Sequence, residues 1–495
     1  MAAQDTTIDP KRDRLVITAS SLGTVFEWYD FFVYGILGAL IGKLFFPSDN
    51  PTAATLASLA VFGAGFGVRP LGAIVFGYLG DKIGRKYTFL LTLLLMGGST
   101  FAIAFIPSYS EIGLVAPAIL LALRIIQGLA LGGEYGGAAT YVAEHAPAER
   151  RGFFTSWIQT TATLGLVISL AVIMATRASL SKEAFDEYGW RIPFLVSILM
   201  VLVSLLIRKN MEESPMFEKA KAEGNISKNP LKESFGNKLN LKYVLLALFG
   251  ATMGQGLVWY TGQFYAQTFL LKICNLDDIQ TNMILVIGLL LGTPLFVIFG
   301  ALSDKIGRKG IMMAGMIIAV FSYRPIFDQM YKTVDVTNKT VVPGSEKMTL
   351  KGKTTTITKE YTDGSSYKNV ITEVSPDKTE SKISIKINKK DQWTLVAYVF
   401  FLISFVTMAY GPIAAFLVEM FPTKIRYTSM SLPYHIGNGV FGGLMPAIAT
   451  FLVSNAQTAG VVQKPYLEGL NYPIALISVC VVIGIIYIKS PKKAA

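Results

Sequence analysis

Apolar runs of about twenty residues recur twelve times along the chain, at approximately 15–42, 55–79, 88–106, 112–143, 152–176, 190–208, 242–270, 279–302, 310–329, 392–418, 428–454 and 468–488. A run of that length crosses the hydrocarbon core of a bilayer once as a helix. In lipid every backbone N–H and C=O must find a partner inside the protein, so only helices and closed barrels can span it. Barrel strands would be short and alternating, whereas these runs are long and continuously apolar. With 52% hydrophobic and 16% charged residues, the chain also lacks the charged surface of a soluble domain this large. The expected fold is therefore an all-α polytopic membrane protein with twelve transmembrane helices. The first run contains Glu27 and Asp30 and exceeds a signal-peptide core in length, so it reads as a retained span.

A formal net charge of +12 suggests a polyanionic partner until its distribution is followed. With the N-terminus taken as cytosolic, the inner side holds Lys11, Arg12, Arg14, Lys82, Arg85, Lys86, Arg150, Arg151 and a basic stretch from Arg208 to Lys242. It also holds Lys305, Arg308, Lys309, Lys424, Arg426, Lys489, Lys492 and Lys493, against Lys43, Arg177, Lys182, Lys272 and Lys464 in the short outer loops. This is the positive-inside asymmetry of a multi-pass protein with both termini in the cytosol, and no nucleic acid is needed to explain it. Cys274 and Cys480 make no disulfide framework, and His145 and His435 are too scattered for a metal site. Neither a metal nor another cofactor is expected.

Two patterns occur twice. Gly77-Tyr-Leu-Gly-Asp81-Lys-Ile-Gly84-Arg85-Lys86 returns as Gly300-Ala-Leu-Ser-Asp304-Lys-Ile-Gly307-Arg308-Lys309, an offset of 223. Glu144-x-x-Pro147-x-x-x-Arg151 returns as Glu419-x-x-Pro422-x-x-x-Arg426, an offset of 275. The chain is thus duplicated, and 52 extra residues entered its second half between Asp304 and Glu419. The expected organisation is a six-helix bundle over 1–208, a cytosolic linker over 209–241 with some amphipathic helix, a second bundle over 242–488, and a cytosolic tail over 489–495. The extra sequence is the polar stretch 331–391, with twelve lysines and no apolar span. Thr354–Tyr361 and Ser381–Asn388 alternate with period two and Asp363-Gly364 offers a turn, which predicts a small extracellular β-hairpin element or a partly disordered loop. Lying outside the duplicated frame, it is expected to be dispensable.

The Asp-Lys-Ile-Gly-Arg-Lys loops join spans 2 to 3 and 8 to 9. Their glycines suit a tight turn, and an Asp can face a helix N-terminus while pairing with Arg on a neighbour. Gly77, Asp81, Gly84, Arg85, Glu144 and Arg151, with Asp304, Gly307, Arg308, Glu419 and Arg426, are the candidate cytosolic gate. Paired copies of this loop resemble the signature of the major facilitator superfamily, and the likeness covers nearly the whole chain apart from 331–391. Narrower motifs are similar to its metabolite:proton symporter branch: Glu27-Trp-Tyr-Asp30-Phe, Arg69-Pro-Leu-Gly, Arg124-Ile-Ile-Gln127-Gly, Gly132-Gly-Glu134-Tyr135-Gly-Gly, Gly189-Trp-Arg191-Ile-Pro-Phe and Met211-Glu-Glu-Ser-Pro. The resemblance implies two pseudo-symmetric six-helix halves in a plasma (bacterial inner) membrane. It also implies import, with protons, of a small metabolite such as 2-oxoglutarate, citrate, shikimate, proline or betaine. The insertion departs from the compact outer loops of that branch.

Ionisable groups deep in a span cost about 2.5–3.5 kcal/mol each on insertion scales, so each is a candidate for function. Five qualify: Glu27, Asp30, Arg69, Arg124 and Glu134. Glu27, Asp30 and Tyr34 share one helical face; Arg124, Gln127 and Tyr135 share another, with Glu134 beside it. Fully charged, the five sum to −1, and one bound proton makes them neutral. Asp30, Glu27 and Glu134 are the proton-coupling candidates, and Arg124, Arg69, Gln127, Tyr34 and Tyr135 the substrate-binding candidates of this half. A purely structural ion-pair network is the bland alternative, Arg191 reads as a snorkelling or capping group, and His435 as packed or cavity-lining. The second half carries no deep charge, and at the 275 offset Tyr410 matches Tyr135 while Ala409 replaces Glu134. Tyr260, Gln263, Tyr410 and His435 are its substrate-side candidates.

The reading is a monomeric transporter that alternates access to a central cavity and has the bilayer, protons and a small organic anion or zwitterion as partners. A proton antiporter of drugs or a non-transporting nutrient sensor on the same fold are the competing readings. No nucleophile–base or metal constellation points to an enzyme.

Overall fold

The computed structural model describes residues 10–488 apart from 47–56, 59, 62, 66, 210–211, 376–377 and 461. The apolar runs are helices: α1 Pro10–Phe45, α2 Arg69–Lys82, α3 Arg85–Ile103, α4 Val115–His145, α5 Ala148–Ser179 and α6 Arg191–Lys209. The second half follows as α7 Lys238–Ile273, α8 Asp278–Ile306, α9 Arg308–Val334, α10 Lys389–Met420, α11 Thr423–Ala459 and α12 Pro465–Tyr487. Among the described residues ten of these are long and apolar enough to cross a membrane unaided. α6 makes eleven when joined to the helix Lys182–Gly189, bent 52° from it. α2 completes the twelve with 14 described residues; part of its expected start near residue 55 lies outside the described ones.

Within the first half α1 packs on α5 and α6, and α3 on α4 and α6; within the second α10 packs on α8 and α9, and α12 on α9. The halves meet at two equivalent crossings, α2 against α11 and α8 against α5. Small residues let backbones approach closely in a membrane. A Cβ added at Gly77 would lie 2.8 Å from Thr428 Cα, and one at Gly300 would collide with Ser156. α7 widens into i→i+5 turns at Leu248–Thr252, Thr261–Tyr265 and Phe269–Ile273, and α11 does so at Gly437–Gly442, directly after His435. Such turns re-aim side chains and gather at functional sites. Between the halves, Ser214 caps a short helix Pro215–Ala222 by accepting the Phe217 N–H at 3.1 Å.

The polar insertion is a four-stranded antiparallel meander, β1 Lys347–Lys351, β2 Thr354–Glu360, β3 Ser366–Ser375 and β4 Lys378–Lys386. The Asp363-Gly364 turn sits between β2 and β3, with Gly364 at φ 86°. The sheet is not an appendage, which removes the ground for expecting it to be dispensable. The free edge of β4 pairs with the α7–α8 connection, Ile385 N–H donating to Asn275 O and Asp277 N–H to Ile385 O, both at 2.8 Å. The Gln280 side chain, on α8, bonds both the N–H (3.0 Å) and the C=O (2.9 Å) of Ile387. Tyr361, Ile385 and Ile387 are buried. Lys339 bridges Asp363 at 2.7 Å and Asp391, in the first turn of α10, at 3.0 Å. Burial opposes the Asp363 carboxylate, yet its bonds to Lys339 and the Ser365 N–H hold it down at about 2.

Candidate functional site

Two adjoining cavities share Glu27 and Arg69 in their walls; the larger lies between the halves and the smaller within the first half. The larger, about 600 Å³ including its mouth, is an aromatic chamber. In its wall Trp28 of α1 and Trp259 of α7 pack on each other with ring centroids 5.4 Å apart and a 47° tilt, and Tyr260 stands 4.9 Å from Trp259. Tyr135 of α4 stacks on Tyr434 of α11 at 3.7 Å and 4°, and the Tyr434 hydroxyl bonds that of Tyr410. Gln159 donates to the Tyr135 hydroxyl at 2.9 Å. His435 and Asn438, one and four residues beyond Tyr434, complete this wall, and Asn438 and Gln255 exchange amide hydrogen bonds at 3.0 and 3.2 Å. The chamber's six aromatic rings can face a cationic group, since ring faces attract cations, and its ionisable wall groups Glu27 and Arg69 are of opposite sign.

The smaller cavity, about 340 Å³, is lined by Glu27, Asp30, Arg69, Arg124 and Gln127. A relay of hydrogen bonds joins its charges. Arg124 donates to Gln127 at 2.8 Å, Gln127 to Thr100 of α3 at 2.5 Å, and Thr100 to Asp30 at 2.7 Å. The Tyr34 ring lies 3.4 Å from the Arg124 guanidinium carbon, and the Tyr34 hydroxyl donates to Ser58 O at 3.3 Å. Glu27, Asp30 and Arg124 are each less than a tenth exposed. Four opposed charges in a low-dielectric space form a site that an added charge can enter only with its counter-charge.

At one end of the molecule the halves are latched together twice, by the same device. Asp81, at the end of α2, accepts the N–H of Tyr427 (3.2 Å) and Thr428 (2.8 Å) at the start of the α11 helix Arg426–Ile436. Asp304, at the end of α8, accepts the N–H of Gly152 and Phe153, both at 2.8 Å, where α5 begins. A carboxylate at a helix N-terminus meets unpaired N–H groups and the positive end of the dipole. Each Asp is gripped from its own turn, Asp81 by Arg85 at 3.2 Å and Asp304 by Arg308 at 2.5 Å. Gly84 and Gly307 hold φ of 124° and 100° in those turns, which suits glycine alone. Glu144 joins Arg85 (3.3 Å) to Arg426 (2.8 Å) across the halves, while Glu419 pairs with Arg308 at 2.8 Å.

This arrangement has counterparts among known proteins. A family model described as Major Facilitator Superfamily matches residues 21–327. The chain belongs to the major facilitator superfamily. Among its relatives, the proline/betaine transporter of Salmonella typhimurium is 30% identical over 501 residues, covering 99% of this chain and 85% of that protein. The glycine betaine/proline/ectoine/pipecolic acid transporter OusA of Dickeya dadantii is 30% identical over 91% of this chain and 80% of its own. The inner membrane metabolite transport protein YhjE of Escherichia coli is 30% identical over 92% of this chain and 93% of its own. In fold, the structure of the proton:xylose symporter XylE bound to 6-bromo-6-deoxy-D-glucose covers 96% of this chain and 95% of that one with a TM-score of 0.65, at 17% identity.

Within this major facilitator frame, Glu27, Arg69, Tyr135, Tyr260, Tyr410 and His435 line the aromatic chamber, and Asp30, Arg124 and Gln127 the smaller cavity. Tyr34 stands beneath Arg124. Gln263 and Glu134 line neither cavity, and Glu134 accepts a 2.7 Å hydrogen bond from Thr92 of α3. In the latches Arg151 departs from its repeat Arg426, its Nε donating to Ala143 O at 3.0 Å. Arg191 is a cap, donating to Ala104 O and Ile106 O past the end of α3 at 2.8 and 3.1 Å. Sequence reasoning passed over Thr100, Trp28, Tyr434 and Asn438. Tyr434, His435 and Asn438 form a polar stripe at helical spacing, a signal that was there to be read. Thr100 is a single hydroxyl in an apolar run and carries no such signal.

Proposed function

We propose that this protein imports a small zwitterion together with a proton by alternating access, the substrate's cationic head in the aromatic chamber and its carboxylate towards Arg124 and Arg69. The observation that carries this reading is the joining of the two cavities at Glu27 and Arg69: a chamber ringed by aromatic faces, with that one carboxylate and that one guanidinium, opens beside a smaller cavity that adds Asp30 and Arg124. A betaine or a cyclic amino acid has those two ends, and the transporter names of the relatives agree with it. Asp30 takes the coupling proton. Its negative charge balances Arg124 through Thr100 and Gln127; once it is protonated, the substrate carboxylate becomes the counter-ion Arg124 requires. Substrate and proton therefore enter as a pair. Glu27 faces the cationic head, and Glu134, held off the cavity, keeps the loaded site neutral.

The basic end with the two latches is placed in the cytosol with both termini, and 331–391 outside. With both latches made, the cytosolic path is shut, as in an outward-facing or occluded state of a monomer built from 1–208 and 242–488. The test is uptake by proteoliposomes of labelled betaine, proline, 2-oxoglutarate, citrate, shikimate and xylose, with and without an inward proton gradient. Gradient-driven accumulation of betaine or proline is expected. Accumulation of a di- or tricarboxylate or a sugar, with neither zwitterion carried, would overturn the reading.

A further inference from the structure

The two faces of the inserted sheet differ. In the ladder Lys347 lies opposite Thr358, Thr358 opposite Lys368, and Lys368 opposite Ser384, so these side chains share a face. Lys382 and Lys386 flank Ser384 at i±2 and join that face. The other face holds Ile357, Ile371, Ile383 and Ile385. The lysine face is turned onto the α7–α8 connection, from which Lys272 adds a further ammonium, and the space between is an open groove of about 2220 Å³. Three carboxylates also border it: Asp277, whose side chain caps α8 at Gln280 N–H, Asp278 and Glu360. Among the described residues Lys347, Lys368 and Lys386 make no ion pair, and Lys382 makes a long, exposed one of 3.9 Å to Asp278.

We infer that this groove binds a linear polyanion, a chain carrying repeated phosphate or carboxylate groups. Lys347 and Lys368 stand two strands apart, about 10 Å, and Lys382 and Lys386 four residues apart, about 13 Å. Hydroxyls of Thr358 and Ser384 fill the intervals. One small anion reaches a single ammonium, or two at most, whereas a chain passing over the face meets all four with hydroxyl donors between them. Multiple weak contacts on one chain then add into measurable affinity. The occupant is tethered to the transporter through β4, which is hydrogen-bonded to the connection that leaves α7, the helix of Trp259 and Tyr260.

The experiment uses the full chain in nanodiscs of neutral lipid and inorganic polyphosphate of about a hundred units, with orthophosphate at equal phosphorus as the single-anion control. Polyphosphate is expected to bind with an affinity that falls steeply with salt, and orthophosphate not to compete. Replacing Lys347, Lys368, Lys382 and Lys386 together by Ser should weaken binding by roughly tenfold or more, since each exposed ion pair is worth a factor of about two to five. Replacing Lys219, Lys221, Lys228 and Lys238, at the opposite end, by Ser should leave it unchanged. Equal losses in the two variants, orthophosphate competing fully, or a folded groove variant that binds like the wild type would each overturn the inference. Abolition of polyphosphate binding by anionic-lipid nanodiscs would likewise overturn it, since the groove would then read a lipid surface rather than a chain. Exposure of the groove to the outside rests on the topology proposed above and is measured separately, by a membrane-impermeant maleimide on Lys368→Cys in intact cells.

Discussion

Thr100 and Gln127 stand between Asp30 and Arg124, so protonation of the one is felt by the other through two neutral side chains. Neutralising Asp30 should therefore imitate the loaded state permanently. Asp30→Asn is expected to keep substrate counterflow and to lose accumulation against a gradient, because exchange needs no proton release. Arg124→Ala should lose both, with affinity down roughly a hundredfold, as for truncation of one partner of a buried charge pair. Paired counterflow and proton-driven uptake separate the two outcomes; an Asp30→Asn protein that still concentrates substrate would sink the coupling assignment. In the chamber, Trp259→Ala removes one ring face from a bound cation. At about 0.5–2 kcal/mol for such a contact, the half-saturation concentration for betaine should rise by roughly two- to thirtyfold with little change in maximal rate. Part of this site was legible because helical spacing is local. Residues at i, i+3 and i+7 share a face whatever the tertiary fold, which put Glu27, Asp30 and Tyr34 together. Glu134 and Tyr135 show where that stops: neighbours in sequence point about 100° apart, and only the packing of α3 decides that Tyr135 meets the chamber and Glu134 meets Thr92.

At the level of elements, the period-two alternation of 354–361 and 381–388 announced β2 and β4. The flanking strands and the docking of the sheet onto α7 and α8 were not readable, since backbone pairing to Asn275 and Asp277 leaves no mark on side-chain pattern. That docking changes what truncation should do. Replacing 344–386 by a short Gly/Ser linker uncovers Gln280, Lys339 and the Asn275–Asp277 backbone together. The melting temperature in detergent should fall by a few degrees, since each kcal/mol is worth about 2–4 °C in a chain of about 150–250 residues and less in a longer one. An unchanged melting curve would return the sheet to the status of an appendage. The latches were the most legible elements, because Asp81 and Asp304 announce themselves twice at matched positions.

For the molecule as a whole, the role proposed for the two latches is to set which side the cavities face. Asp81 and Arg85 are fully buried, and breaking a buried pair by removing one charge costs about 3–5 kcal/mol. Losing that much from the closed state shifts the closed-to-open ratio by two orders of magnitude or more. Asp81→Asn combined with Asp304→Asn should therefore rest open to the cytosol. A Thr24→Cys probe in the chamber wall, labelled in oriented vesicles, should react from the outside in the wild-type background and from the cytosolic side in the double variant. Betaine affinity should persist, because both carboxylates lie away from the cavities. Labelling that stays on the outer side in both would mean that the latches do not govern access.

The hydrogen bonds that each latch carboxylate receives from the opposite half come from main-chain amides: of Tyr427 and Thr428 in one case, of Gly152 and Phe153 in the other. Every residue but proline offers that donor. These hydrogen bonds therefore do not depend on the side chains at the receiving positions, although packing still fixes Gly152, where a Cβ would lie 2.4 Å from Gly300 O, whereas drift at the two aspartates removes them. For these bonds a duplicated chain whose copies must keep fitting each other needs no coordinated pairs of substitutions, unlike the Glu144–Arg426 ion pair beside them. One half can lose its deep charges and become a wall of aromatic rings, as this one has, and the doors still meet.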